Sequence, residues 1–122
     1  MCEYPRHPKT RAVIVRAREI ISDPDRWTPA SQAVDADGNW VRARQAKAVR
    51  FSGAGALRRA AMELIPDYDS SAFKAADDAY WAVNTRWGRT VRYDNLEFIN
   101  EKGHQAMLAV FDEVLASKCK CE

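Results

Sequence analysis

Four stretches of this sequence carry apolar residues at helical spacing, separated by residues that break helices, and no other feature constrains the fold as tightly. From Lys9 to Ser22, the residues Val13, Ala17, Ile20 and Ile21 recur at i, i+4, i+7 and i+8, with Arg11, Arg16, Arg18 and Glu19 mostly off that stripe. Asp23-Pro24 ends the segment, because the residue before proline avoids helical geometry. A second stripe, Leu57, Ala60, Ala61 and Leu64, predicts a helix from about Gly53 to Leu64. Ser52 is its N-cap, Pro66 stops it, and Arg58 and Arg59 point away from its buried face. Gly53, Ala54, Gly55 and Ala56 make its first turn narrow enough for another backbone to come close. A third helix starts at Ser70 or Ser71 and runs to about Arg86 on Phe73, Ala76, Tyr80 and Val83. Lys74, Asp77, Asp78 and Arg86 lie outside its stripe, and Gly88 caps its end. The last, from about His104 to Ser117, has the cleanest pattern: Met107, Val110, Phe111, Val114 and Leu115.

Trp27-Thr28-Pro29 reads as loop, and Asp37-Gly38 supplies the positive φ of a tight hairpin flanked by Val34 and Trp40-Val41. Residues 43–50 stay undecided, Ala-rich enough for helix but without a stripe. Residues 89–99 form a connector, partly extended at Leu96-Glu97-Phe98-Ile99. The expected fold is therefore mainly α: about four helices around one core, with a short β-hairpin after the first. At 122 residues, with no internal repeat, the chain fits one helical domain over 1–122, with irregular ends at 1–8 and 118–122.

Hydrophobic residues make up 47% and charged residues 30%, a globular composition, and no apolar run approaches the ~18 residues that span a bilayer. Met1 to Arg6 lacks the apolar segment of a secretory signal, so no membrane contact and a cytoplasmic setting are expected. The cysteines, Cys2, Cys119 and Cys121, sit at the ends, which argues for a reducing compartment and against a disulfide framework. Together with His7 they have the softness zinc prefers, but Cys-x-Cys is not the usual knuckle spacing; free thiols, no metal and no cofactor are expected.

The halves differ in charge: residues 1–60 hold 12 Lys or Arg against 6 Asp or Glu, residues 61–122 hold 7 against 11. Arg42, Arg44, Lys47 and Arg50 crowd one segment, and Arg58 and Arg59 follow on the next helix. Such a run can neutralise phosphates, with Trp40 free to stack on a base. If residues 41–50 were helical, Arg44, Lys47 and Arg50 would share a face. No zinc finger or clear helix-turn-helix accompanies them, so any nucleic-acid binding through 42–59 would be mostly non-specific.

Catalytic candidates are few. Asp35 and Asp37 can share a face of an extended segment and hold a metal or divide acid–base roles, but Asp-x-Asp-Gly is also ordinary hairpin chemistry. His104, at the opening of the last helix, suits capping or a surface role better than general-base work. His7 has no visible partner, Ser52 lacks a nucleophile elbow, and Gly53 and Gly55 lack a Gly-Lys-Ser/Thr ending. Trp27, Trp40 and Trp87 lie in or near loops and the hairpin, where exposed aromatics anchor protein interfaces; alternatively Trp27 and Trp40 close the open end of the core.

Several of these pieces together resemble an uncharacterised family, a domain of unknown function, of short bacterial and phage proteins. The matching residues are Trp27-Thr28; Ala33, Asp35 and Gly38; Phe51, Gly55, Ala56 and Leu57; and Phe98-Ile99-Asn100-Glu101-Lys102-Gly103-His104. Ser52 stands where the family usually has Cys, and Ile99 and Glu101 replace an aromatic and an Asp. A rival placement puts the late motif on Val83-Asn84 and Trp87-Gly88-Arg89-Thr90, which misaligns the last helix. The resemblance implies a fold outline and no assigned activity. The expected function is a non-enzymatic interaction protein with a protein partner, as a mobile-element or phage accessory or inhibitor of a host system. A nucleic-acid binder using 42–59 is the alternative, and a small metal-dependent or acid–base enzyme the third reading.

Overall fold

Each of the four stripes forms a helix, and the helices meet on a shared core. The computed structural model describes residues 7–29, 32–65, 70–87 and 96–116. The terminal cysteines, Gly88 and the Gly88-Arg89-Thr90 part of the rival motif placement lie outside the described residues. The elements are α1 (Thr10–Ile20), a 3-10 turn (Pro24–Arg26), β1 (Ala33–Val34), β2 (Trp40–Val41), β3 (Arg50–Phe51), α2 (Gly53–Leu64), α3 (Ser70–Thr85), α4 (Leu96–Glu101) and α5 (His104–Leu115). No helix among the described residues is long and apolar enough to cross a membrane.

α1 buries Val13, Ile14, Ala17 and Ile20 and packs on α2, α3 and α5. Its N-cap, Lys9, makes no side-chain capping bond, and its first turn carries no acid. The charge comes instead from across the core. Asp78 of α3, expected on the outside, is buried, and its Oδ2 accepts from Thr10 Oγ1 at 2.5 Å and from the His7 N–H at 3.3 Å. A carboxylate at a helix N-terminus opposes the positive end of the helix dipole.

The hairpin forms as predicted, but it gains a third strand. β1 lies in the centre and pairs antiparallel with β2 and with β3 (order β2-β1-β3). Asp35 and Gly38 close the turn: the Gly38 N–H donates to Asp35 O at 3.0 Å, and Gly38 takes φ +86°. Residues 43–48 are two successive turns rather than a helix, closed by Gln45 N–H to Arg42 O and Ala48 N–H to Gln45 O, both 3.0 Å. Ala43 and Ala48 tuck into the core. A two-residue strand shows too little alternation to be read from sequence, so β3 became visible only through its pairing.

α3 buries Ala76 and Val83 of the expected stripe, but its inward face is rotated so that further alanines take the place expected for Phe73. Ala72, Ala75, Ala76, Ala79, Ala82 and Val83 are buried, whereas Phe73 is 60% exposed. Small side chains let α1 and α2 approach closely, and a Phe in that seam would hold the helices apart. Leu64, expected inside, ends α2 at 37% exposure. The segment expected to be extended at 96–99 is the short helix α4, which buries Leu96, Ile99 and Asn100. α3 ends on two left-handed residues, Arg86 (φ 51°) and Trp87 (φ 62°), a conformation held by burial of the Trp87 indole.

The narrow first turn of α2 meets a backbone as predicted. A methyl group on Gly55 would sit 1.9 Å from Gln32 O, and one on Gly53 would meet the Met107 sulfur. The first clash is with main chain that cannot swing away. Gly55→Ala is therefore expected to destabilise the fold by about 2–3 kcal/mol, read as a lowered urea midpoint. Gly38→Ala, which has nothing within 4 Å and suffers only from its positive φ, is expected to cost about 1–2 kcal/mol. Equal losses at the two glycines would contradict this account.

Candidate functional site

The inward alanine face of α3 leaves Phe73 and Trp81 exposed and Tyr80 half-buried, and the three gather around a groove. Phe73, Asp77, Tyr80 and Trp81 recur at i, i+4, i+7 and i+8, so they form one stripe along the helix. This stripe, Trp40 of β2, Arg58 of α2, and Glu97 and Glu101 of α4 line a cavity of about 470 Å³. Trp40 (58% exposed), Phe73 (60%) and Trp81 (44%) all remain open to solvent there. Tyr80 and Trp81 meet edge to face with centroids 5.1 Å apart, and the Arg58 guanidinium lies 5.7 Å from the Phe73 ring centroid. The Tyr80 hydroxyl donates to Glu97 Oε2 at 2.8 Å, which fixes the phenol against α4. Burial, then that bond, pushes the Tyr80 pKa above its usual range.

Buried polar groups hold the floor. Asn100 Oδ1 accepts from Trp27 Nε1 at 2.8 Å and from the Gly53 N–H at 3.0 Å, while its Nδ2 donates to Thr28 O at 2.9 Å. Ser52 Oγ accepts from the Gly55 N–H at 3.0 Å, the N-cap predicted for it. Trp27-Thr28 and the Asn100 segment, read as separate motifs, thus meet at one point. His104 joins them: its Nε2 lies 2.6 Å from Ile21 O, and its ring is 5.4 Å from that of Trp27.

The predicted site residues divide. Of the three tryptophans expected at an interface, Trp40 alone stands open. Trp27 is half-buried on Asn100, and Trp87 is a core residue whose Nε1 donates to Val114 O at 2.9 Å. Arg42, Arg44, Lys47, Arg50 and Arg58 are exposed. Arg59, expected to point away, is drawn inward: its Nη1 donates to Ala43 O at 3.1 Å and Gln45 O at 2.9 Å, pinning the turn that displays Arg42, Arg44 and Lys47. Since that turn is not helical, no helix face aligns Arg44, Lys47 and Arg50. Phe73, Tyr80, Trp81, Asp77, Glu97 and Glu101 were missed as site residues. The available signal was a third helix with more apolar residues than one face can bury.

Among the catalytic candidates, Asp35, Ser52 and His104 make the structural contacts of a turn, a helix cap and a loop anchor. Asp35 Oδ1 accepts from the Asp37 N–H at 3.0 Å and the Asn39 N–H at 2.9 Å, the hairpin role. Among the described residues no three His, Cys, Asp or Glu side chains are placed to hold a metal ion. One pair went unseen in the sequence: His7 Nε2 lies 3.2 Å from Ser71 Oγ. The Lys9 N–H donates to His7 Nδ1 at 3.0 Å, so in the neutral ring the proton sits on Nε2 and faces the serine. That tautomer gives a hydrogen bond to Ser71 rather than taking its proton.

Residues 5–116 match a family described as a family of unknown function (DUF6197). No curated protein and no solved structure matches the chain.

Tyr80 gives the groove a spectroscopic handle. In an alkaline titration followed at the phenolate absorbance, Tyr80 should ionise well after an ordinary tyrosine at about pH 10, and Tyr80→Phe should remove that late component. The folded state keeps this proton longer than the unfolded chain does. Any stability Tyr80 contributes is therefore present below about pH 10 and lost as pH rises beyond it. A titration unchanged by Tyr80→Phe would contradict this environment.

Proposed function

We propose that this chain, which belongs to the family of unknown function DUF6197, is a non-enzymatic interaction protein that docks a protein partner in the aromatic groove. The observation that carries the reading is the convergence of Trp40, Phe73 and Trp81, from two separate elements, on one open cavity of about 470 Å³. Large apolar side chains left in water cost free energy that docking recovers, and Trp and Tyr are the usual anchors of an interface. Phe73 and Trp81 stand on a helix packed against α1 and α2, so the backbone that carries them is already ordered before binding. The finer reading, an accessory or inhibitor from a phage or other mobile element, is supported by the resemblance to short bacterial and phage proteins alone. A cytoplasmic setting belongs to the same proposal, and the restriction of cysteines to Cys2, Cys119 and Cys121 supports it.

The test is a pull-down from host cells with the wild-type chain, Trp40→Ala and Trp81→Ala. Both side chains are exposed, so the fold should survive, and a partner seen with the wild type should bind at least about 30-fold more weakly to Trp81→Ala if that ring is an anchor. Retention of every partner by both variants would remove the groove from the account.

A second reading, nucleic-acid binding, has its own support: Arg42, Arg44, Lys47 and Arg50 are exposed on and beside a turn that Arg59 holds in place. Here a gel shift at low salt is expected, weakening steeply as salt rises. Replacing all four by Ala should abolish it while leaving the pull-down intact. No retardation at low salt would end this reading.

A further inference from the structure

We propose that the groove takes a lysine- or arginine-bearing segment of its partner, with the cationic head between the aromatic rings and the carboxylates of Asp77, Glu97 and Glu101. The inference rests on the docking reading above and adds the chemistry of the occupant. Elsewhere among the described residues, the helix-borne carboxylates Glu63, Asp112 and Glu113 are paired with Arg16 and Arg59, Arg18 and Arg86 respectively, whereas the acids of the 3-10 turn and the hairpin, Asp23, Asp25, Asp35 and Asp37, have no ion pair. Among the described residues that line the groove there are three carboxylates and one guanidinium, and Arg58 lies over the Phe73 ring rather than against an acid. The Glu97 carboxylate receives only the neutral Tyr80 hydroxyl.

Among the described residues, the lining of the aromatic cavity thus carries an excess of negative charge, in a chain whose net charge is +2. The faces of Trp and Tyr rings are themselves negative, so rings and carboxylates favour the same ligand and disfavour an acidic one. The volume falls within the range of pockets that enclose a drug-sized ligand, enough for a long side chain and adjoining backbone.

The experiment is a titration, read by tryptophan fluorescence, with three capped pentapeptides: Gly-Arg-Gly-Arg-Gly, Gly-Glu-Gly-Glu-Gly and Gly-Ser-Gly-Ser-Gly. The arginine peptide should bind and the other two should not. Trp81→Ala and Glu101→Gln should each weaken binding about fivefold to tenfold. Asp25→Asn, which removes an equal charge on the exposed 3-10 turn, should change it less than twofold. Equal binding of the acidic or neutral peptide would overturn the proposal, as would equal losses at Asp25 and Glu101. Should Trp81→Ala lose a partner in the pull-down while the arginine peptide gives no signal, docking stands and only the cationic occupant falls. Silence in both experiments removes both. Light scattering closes the remaining route: a wild-type dimer that Trp81→Ala makes monomeric would put a second copy in the groove and overturn a separate partner.

Discussion

Asn100 is the joint on which the arrangement depends. Its buried amide takes two N–H donors on one side and gives one on the other, tying the Trp27-Thr28 loop, the start of α2 and the helix α4 together. Each bond adds only about 1 kcal/mol net, but losing the amide would strand several buried groups at ~1–3 kcal/mol apiece. The amide orientation follows from its neighbours, since flipping it would set NH₂ against two N–H groups. Gly53 supplies one of those donors because Ser52 has already satisfied the Gly55 amide, so the helix start divides its free N–H groups between a local and a distant acceptor.

Fixing α4 at that joint places Glu97 and Glu101 opposite the outer stripe of α3. The groove is thus a consequence of two packing decisions. Alanines on α3 draw it tightly against α1 and α2, which rotates Phe73, Asp77, Tyr80 and Trp81 outward; Asn100 then sets the facing wall. Tyr80 stays half-buried against the core, whereas Phe73 and Trp81 lie largely outside it. Leaving Trp40, Phe73 and Trp81 at 44–60% exposure is a cost to the isolated chain.

Much of the frame was legible in the sequence. Helical spacing of apolar residues, Asp23-Pro24, Ser52 and Pro66 marked α1, α2, α3 and α5 correctly, and Asp37-Gly38 marked the hairpin. The groove was not legible, because it depends on which of two apolar stripes α3 buries. Phe73 outranks any alanine in hydrophobicity, so a single-helix reading turns it inward; only the distance to the neighbouring helices favours the alanines. The same limit applies to Asp78, which reads as a solvated acid until α1 presents an uncapped end. Trp87 and Arg59 likewise looked like surface residues until Val114 O and the 43–45 carbonyls accepted their donors.

What the sequence determined alone is what depends on neighbours along the chain: periodicity, proline stops, a serine cap, a glycine turn and a narrow helix start. What only the tertiary structure decided is which face each element buries, whether Leu96 to Glu101 coils, whether Arg50-Phe51 pairs, and which charged side chains gather at the groove. These outcomes are set by separations and partners across the core, and the burial of a side chain belongs to the whole packing rather than to its own helix.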